Sequence, residues 1–165
     1  RAAILEILDS VKDPEVPVLS VRELGIVRAV EVEPSGAVTV TVTPTYSGCP
    51  AIQVIEDDIL AALDDAGITN ARVVTSYAPA WTTDWIAPEA RRKLQAAGIA
   101  PPRGEAGVIA NAGARPIAFH RAEPVPCPNC GSLRTVGLSR FGSTACKAQY
   151  RCNDCLEPFD YFKPH

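Results

Sequence analysis

The chain has 165 residues, of which 47% are hydrophobic, and this suits one small domain joined to a further module. No apolar run approaches the roughly 18 residues of a membrane span, so no such segment is expected. The net charge is −3, and the 14 acidic residues of 1–99 outnumber its 8 basic ones, which argues against nucleic acid as a partner.

A helix is predicted over residues 2–12. Its apolar residues recur at helical spacing at Ile4, Ile7, Leu8 and Val11. Acidic side chains within this stretch make it unlike a secretory signal peptide, which predicts a cytoplasmic protein. Prolines within 13–17 end the helix. Residues 26–33 and 38–43 then alternate apolar with polar side chains around a Pro-Ser-Gly turn, which predicts an antiparallel hairpin with one buried face.

A second helix is predicted to follow Cys49, with this thiol at its first turn, and apolar side chains share one of its faces. The inward set comprises Ile52, Ile55, Ile59, Leu60 and Leu63. Gly67 stands where a C-terminal cap is expected. Residues 71–77 predict a third strand, parallel to a hairpin strand because a helix separates the two. The order predicts an α+β fold, a small αββαβ two-layer sandwich over residues 1–99.

A single cysteine, Cys49, lies in the segment 44–50 between the hairpin and the second helix. Free backbone N–H groups and the positive end of the helix dipole favour a thiolate there, which predicts a pKa below the free value of about 8.5. Gly48 and Pro50 predict a tight turn that exposes the side chain. The alternative is a cysteine packed in the core as a small apolar residue.

Both tryptophans of the chain, Trp81 and Trp85, follow the third strand. They either cover the open end of the core or form a partner surface, where tryptophan is enriched. A short helix is predicted over residues 88–97, with Pro88 at its start. Residues 100–126 are rich in proline and glycine without periodicity, so we expect a linker there.

Residues 127–165 contain two C-x-x-C pairs separated by β-prone segments. The four cysteines are Cys127, Cys130, Cys152 and Cys155. Two such loops complete a tetrahedral site with Zn–S distances of about 2.3 Å, which predicts a C-terminal β zinc-ribbon module in a reducing cytosol. A closed four-sulfur shell leaves no position for a substrate, so the zinc would be structural. Iron or an iron–sulfur cluster also suits thiolate ligands.

The sixth cysteine, Cys146, lies within the predicted ribbon but belongs to neither C-x-x-C pair. One interpretation is a buried small apolar side chain. The other is a functional thiol whose pKa is lowered by the adjacent Lys147. The sequence leaves both interpretations open.

Several of these segments together resemble a known family. Residues 13–17, residues 23–27, Thr45 and the turn at 47–50 are similar to the iron–sulfur assembly domain of the MIP/SufT type. The chain also resembles a narrower group, PaaD, in the Trp81 segment, in residues 93–102, in the pair Cys127 and Cys130, and in residues 142–147. PaaD is the accessory protein of the bacterial phenylacetyl-CoA epoxidase system. The likeness covers nearly the whole chain except the linker.

The resemblance implies a maturation factor that assists insertion of the iron–sulfur cluster into the reductase component of the epoxidase. It implies the oxygenase and reductase components as partners, and it does not imply that this chain performs the epoxidation. The residues agree, because the sequence contains no Glu-x-x-His di-iron pair and no glycine-rich dinucleotide loop. A non-enzymatic role is therefore expected.

Our hypothesis is that Cys49 is a transient thiolate ligand for iron or a cluster in transit. Asp13 and Glu15 would shape the mouth of the site, and Thr45 would hydrogen-bond the sulfur. The second ligand would come from a partner, from a second copy of the chain in a homodimer, or from Cys146. One alternative is a non-catalytic adaptor that grips the oxygenase. A nucleic-acid-binding ribbon is a weaker alternative, disfavoured by the acidic residues of 1–99.

Overall fold

The computed structural model describes residues 1–103 and 124–164. Its elements in chain order are α1 (Ala2–Ser10), β1 (Val27–Val32), β2 (Val38–Val42), α2 (Ile52–Asp65), β3 (Ala71–Thr75), α3 (Pro88–Ala96), β4 (Ile99–Ala100), β5 (Thr135–Ser139), β6 (Lys147–Cys152) and β7 (Pro158–Phe162). Most of the linker predicted over 100–126 lies outside the described residues. Among the helices of the described ranges, none has the length and apolar composition needed to cross a membrane.

The first sheet has the order β1-β2-β3 and forms the body of the molecule with α1 and α2. β1 and β2 pair antiparallel as a hairpin, and β3 pairs parallel with β2. α2 packs against β3 and α1 packs against α2, so that Leu8, Val40 and Ile59 are fully buried between the two layers. The predicted α+β sandwich with αββαβ order is confirmed, because periodicity of two and of 3.6 residues marks its elements clearly.

α2 begins at Ile52, three residues after Cys49, and its buried face consists of Ile55, Ile59 and Leu63. Leu60 was predicted to point inward but is exposed. One residue along a helix rotates the side chain by about 100°, so the neighbour of buried Ile59 faces water.

The second sheet has the order β4-β7-β6-β5 and contains the ribbon. β4 follows directly on α3 and pairs parallel with β7, so a strand at the end of the body extends the ribbon sheet. Cys146 and Phe162 from the ribbon lie in the same buried cluster as the core of the body. The Phe162 ring packs on Trp81 with 6.1 Å between ring centroids. The body and the ribbon therefore share a hydrophobic core.

Candidate metal and thiol sites

The four cysteines of the C-x-x-C pairs meet at one point in the ribbon. Their Sγ atoms all lie within 4.8 Å of one another, and two of the S···S distances, Cys127 to Cys155 and Cys130 to Cys152, are 3.6 Å. A tetrahedron with Zn–S bonds of about 2.3 Å has S···S edges of about 3.8 Å, whereas a disulfide needs about 2.05 Å. The four thiols therefore fit a zinc ion, which would cross-link the two loops and stabilise the ribbon.

The turns that hold these cysteines direct backbone N–H groups at the sulfurs. The N–H of Asp154 donates to the Sγ of Cys152 at 3.4 Å, and the N–H of Cys155 also donates to it and lowers its pKa. Gly131, directly after Cys130, has a φ of +74°, which closes the first turn without a Cβ penalty. Such donors stabilise thiolates and would support a metal ion held by the four sulfurs.

Cys49 lies two residues before the N-cap of α2, and its sulfur accepts the backbone N–H groups of Ala51 and Ile52. The side chain is only 9% exposed and packs in the core of the body. Burial raises the pKa of this thiol, and the nearby carboxylates of Glu15 and Asp13 add to the increase. The predicted exposure and lowered pKa are therefore wrong. The amide donors lie where the sequence predicted them, but desolvation outweighs their effect.

The proline-bounded segment 13–17 brings two carboxylates to the Cys49 loop. Asp13 is buried, and its Oδ1 accepts the backbone N–H groups of Glu15 and Val16, both at 2.8 Å. Burial raises the pKa of both carboxyls, and the charge of Asp13 raises that of Glu15 further. The Asp13 carboxyl is held by the backbone of its own turn, whereas the Glu15 carboxyl faces the ribbon.

Cys146 lies on the ribbon side of the same interface and is buried. Its Sγ is 3.1 Å from the hydroxyl of Thr144 and 3.7 Å from Oε2 of Glu15. Burial raises the pKa of this thiol to about 11, so the lowering predicted from Lys147 is outweighed and that expectation is wrong. The buried Lys147 ammonium instead donates to the backbone carbonyl of Glu15 at 3.1 Å and lies 3.7 Å from Oδ2 of Asp160.

Two further side chains of the Cys49 loop, Thr45 and Tyr46, line a groove of about 300 Å³ beside Trp81. Thr45 is buried there, but no hydrogen bond joins its hydroxyl to Cys49 among the described residues. Sequence analysis did not single out Tyr46. Burial, followed by the charges of Cys49, Glu15 and Cys146, raises the pKa of its hydroxyl to about 12. Tyr46 therefore lies close to both thiols, a position that no local motif indicates.

The two tryptophans have different environments. Trp81 is 5% exposed, its Nε1 donates to the backbone carbonyl of Leu24 at 3.0 Å, and its ring packs on Phe162. Assigning Trp81 to a partner surface is therefore wrong, because it covers the core where the ribbon packs on the body. Trp85 is half-buried with the guanidinium of Arg28 3.3 Å from its ring centroid, and its role in partner binding stays a prediction.

Family comparisons match the two parts of the chain separately. Residues 1–74 match the model described as iron–sulfur cluster assembly protein, and residues 113–163 match the PaaD zinc beta ribbon domain. Among solved structures, a crystal structure of a domain of unknown function DUF59 from Bacillus anthracis aligns with a TM-score of 0.53 and 25% identity. That alignment covers 56% of this chain and 89% of the other, which supports the fold of the body.

Curated relatives extend this likeness along the chain. An Fe-S protein maturation auxiliary factor from Porphyromonas gingivalis is 35% identical over 92 residues, which are 55% of this chain and 87% of that protein. A protein of Escherichia coli K12 that is named as a putative subunit of 1,2-phenylacetyl-CoA epoxidase is 46% identical over 160 residues, which are 97% of this chain and 90% of that protein. With the ribbon matched as well, the chain belongs to the PaaD family.

Proposed function

We propose that this chain is a non-enzymatic accessory factor in iron–sulfur assembly that serves a multicomponent phenylacetyl-CoA epoxidase. The names of the relatives support this role, since one is named as a maturation auxiliary factor and another as a subunit of that epoxidase. The client we propose is the reductase component, which would receive its cluster with the help of this chain. Cys49 is the residue that would bind the iron or cluster in transit.

The surroundings of Cys49 are the observation that carries this proposal. Two backbone N–H groups reach its sulfur, and the carboxyls of Asp13 and Glu15 lie beside it, so a mostly buried thiol has polar neighbours. In the resting protein the raised pKa keeps the proton on sulfur. An incoming metal ion displaces that proton and is held by a thiolate that is not part of a closed shell. Such a ligand releases its cargo more readily than the four ribbon sulfurs.

A second candidate function is a non-catalytic adaptor of the epoxidase. The low exposure and raised pKa of Cys49 favour it, because a buried protonated thiol is a poor ligand for incoming metal. In that case the half-buried Trp85 and the outer face of the ribbon would contact the oxygenase, and Cys49 would serve only in packing.

Changing Cys49 to alanine distinguishes the two functions. The client reductase is matured anaerobically with each variant, and its iron and acid-labile sulfide are measured. We expect Cys49→Ala to lower the rate of cluster loading by at least about tenfold, since supporting groups of metal sites alone contribute that much. Ser47→Ala, in the exposed part of the same loop, is the control and should mature the client normally. Normal maturation by the Cys49→Ala variant would leave the adaptor as the function.

A further inference from the structure

We infer that the ribbon carries a docking groove for an acidic segment of a partner protein, with an aromatic side chain of that segment packed against Tyr150. The groove has a volume of about 610 Å³ and is lined by residues of β5, β6 and β7 and of the turn after β5. It includes none of the residues of the metal and thiol sites. The inference rests on the proposed function in one respect, that this chain acts together with another protein.

The floor of the groove is an aromatic surface with an uncovered area. The half-buried Tyr150 of β6 stacks on Phe159 with 5.9 Å between ring centroids and meets Tyr161 edge-on at 5.5 Å. Its cross-strand neighbour on β5 is Gly137, where an added Cβ would lie 3.5 Å from Cζ of the Tyr150 ring. A side chain at this position would cover the ring, and the glycine leaves it open. An aromatic side chain of a partner can therefore pack there.

The walls of the groove are apolar and exposed to solvent. Leu138 and Phe141 are 52% and 66% exposed. The pairing of β5 with β6 is irregular between Gly137 and Ser139, so Leu138 has no partner in the ladder. The N–H of Phe141 donates to the hydroxyl of Ser139 at 3.2 Å, which fixes the turn that carries the ring. Small-molecule sites enclose most of their ligand, whereas walls this exposed suit a protein partner.

The charged side chains of the groove are both cationic. Arg140 and Lys163 line it, and no acidic side chain does. The Lys163 ammonium lies 4.7 Å from the ring centroid of Phe141 and donates to the carbonyl of Arg140 at 3.2 Å. In the described part of the chain no ion pair involves either cation, and the neighbouring Asp160 is paired with Lys147 instead. Carboxylates of a partner would therefore match these two cations.

The charge of the whole chain favours an acidic protein segment over a nucleic acid. Aromatic rings beside cations also bind single-stranded nucleic acid. The 14 acidic residues of 1–99 outnumber its 8 basic ones, however, and a polyanion that extends beyond the groove would be repelled by them. A short segment would contact the groove alone. The occupant we infer is therefore a protein segment with carboxylates beside one aromatic side chain.

Peptide binding to the zinc-loaded full chain tests this groove. The probe is a fluorescein-labelled peptide with one tryptophan between glutamates, and fluorescence anisotropy measures its binding. We expect it to bind at least about tenfold more tightly than the same peptide with alanine in place of tryptophan, since aromatic anchors dominate interfaces of this kind. A peptide with lysines in place of the glutamates should also bind more weakly, because both cations of the groove repel it.

Two variants of the chain locate the binding site. Gly137→Val puts a side chain over the Tyr150 ring and should weaken binding of the acidic peptide by at least about tenfold. Valine suits a strand, so the sheet should still form. Arg140→Gln should weaken binding by about threefold, as loss of one exposed ion pair predicts. Arg151→Gln, exposed on β6 but outside the groove, is the matched control.

An acidic peptide that does not bind, or that binds Gly137→Val as tightly as the unaltered chain, would overturn the inference. Tighter binding of a single-stranded oligothymidylate in the same groove would also overturn it, as would a dimer that Gly137→Val abolishes, because the occupant would then be nucleic acid or a second copy. Circular dichroism and zinc content establish that each variant is folded, and Phe141→Ala replaces the valine variant if valine destabilises the sheet.

The Cys49→Ala variant separates this inference from the carrier role. It should bind the acidic peptide as the unaltered chain does, because Cys49 does not line the groove. Normal maturation by Cys49→Ala together with normal peptide binding would reject the carrier and keep the groove. Failed maturation by Cys49→Ala in a chain that binds no peptide would keep the carrier and reject the groove.

Discussion

Burial controls the protonation of both thiols outside the ribbon centre. At Cys49 two backbone N–H groups favour the thiolate, yet removal from water favours the thiol more strongly, and two carboxyls add to that effect. At Cys146 burial likewise outweighs the neighbouring lysine, whose charge favours the thiolate. Both sulfurs therefore hold their protons in the resting protein.

The raised pKa of Cys146 predicts a loss of stability at alkaline pH. The unfolded thiol ionises near its ordinary pKa of about 8.5 to 9, whereas the folded one keeps its proton until about pH 11. Between these values the unfolded state binds fewer protons, so the free energy of unfolding falls as pH rises, by up to about 1.4 kcal/mol per pH unit. Measured by urea unfolding, the free energy of unfolding should fall less steeply with pH in Cys146→Ser than in the unaltered chain, because serine does not ionise. The same dependence of unfolding free energy on pH in both proteins would contradict the raised pKa of Cys146.

Turns determine how closely the elements around the site approach each other. Gly25 precedes β1 with a φ of +70°, and a Cβ added there would lie 2.6 Å from Cβ of Trp85 and 2.7 Å from its carbonyl oxygen. The backbone of the loop after β3 can come this close only because residue 25 has no side chain. The same turn presents the Leu24 carbonyl to the indole of Trp81.

Gly25→Ala should therefore be far more harmful than an alanine at another glycine with positive φ. We expect it to lower the free energy of unfolding by about 3 kcal/mol or more, from strain plus collision with the Trp85 backbone. Gly36→Ala is the control, since Gly36 has a φ of +86° with no atom within 4 Å of the added Cβ, and should cost about 1 kcal/mol. Urea unfolding of the zinc-loaded proteins measures both. Similar losses of unfolding free energy in both variants would show that the Trp85 backbone can move away from the added Cβ at little cost.

The ribbon and the body depend on each other in the whole molecule. β4 of the body pairs with β7, Phe162 packs on Trp81, and Lys147 donates to the backbone of Glu15. These contacts put an apolar, a backbone and a charged interaction across one interface. A metal ion held by the four ribbon cysteines would therefore also support the position of Cys146 beside the body.

Removal of zinc by a chelator should unfold the ribbon and uncover Trp81. Small four-cysteine modules require their metal to fold, and loss of Phe162 would expose the indole to water. We expect tryptophan fluorescence to shift to longer wavelength and the melting temperature of the body to fall by several degrees, while the helical circular dichroism of α1 and α2 remains. The Trp81→Phe variant is the control, because its remaining tryptophan should shift less. Unchanged fluorescence in the metal-free protein would contradict the shared core.

Local sequence patterns were enough to predict the helices, the three strands of the first sheet and the four cysteines that come together, but not β4, because residue 100 was assigned to the linker. The alternation in β2, the helical spacing of α2 and the two C-x-x-C pairs each involve residues a few positions apart, where backbone geometry dictates which side chains share a face. The start of α2 next to Cys49 followed from the same information. These features survive in the structure almost unchanged.

Packing between distant segments sets the environment of the candidate site. Glu15 and Cys146 are separated by 131 positions along the chain, and no periodicity links them. Whether Cys49 is exposed depends on what the ribbon and the loop at Asp13 place over it, and so does its pKa. Desolvation is a property of everything that surrounds a group, so it follows from the folded arrangement and cannot be obtained from neighbouring residues in the sequence.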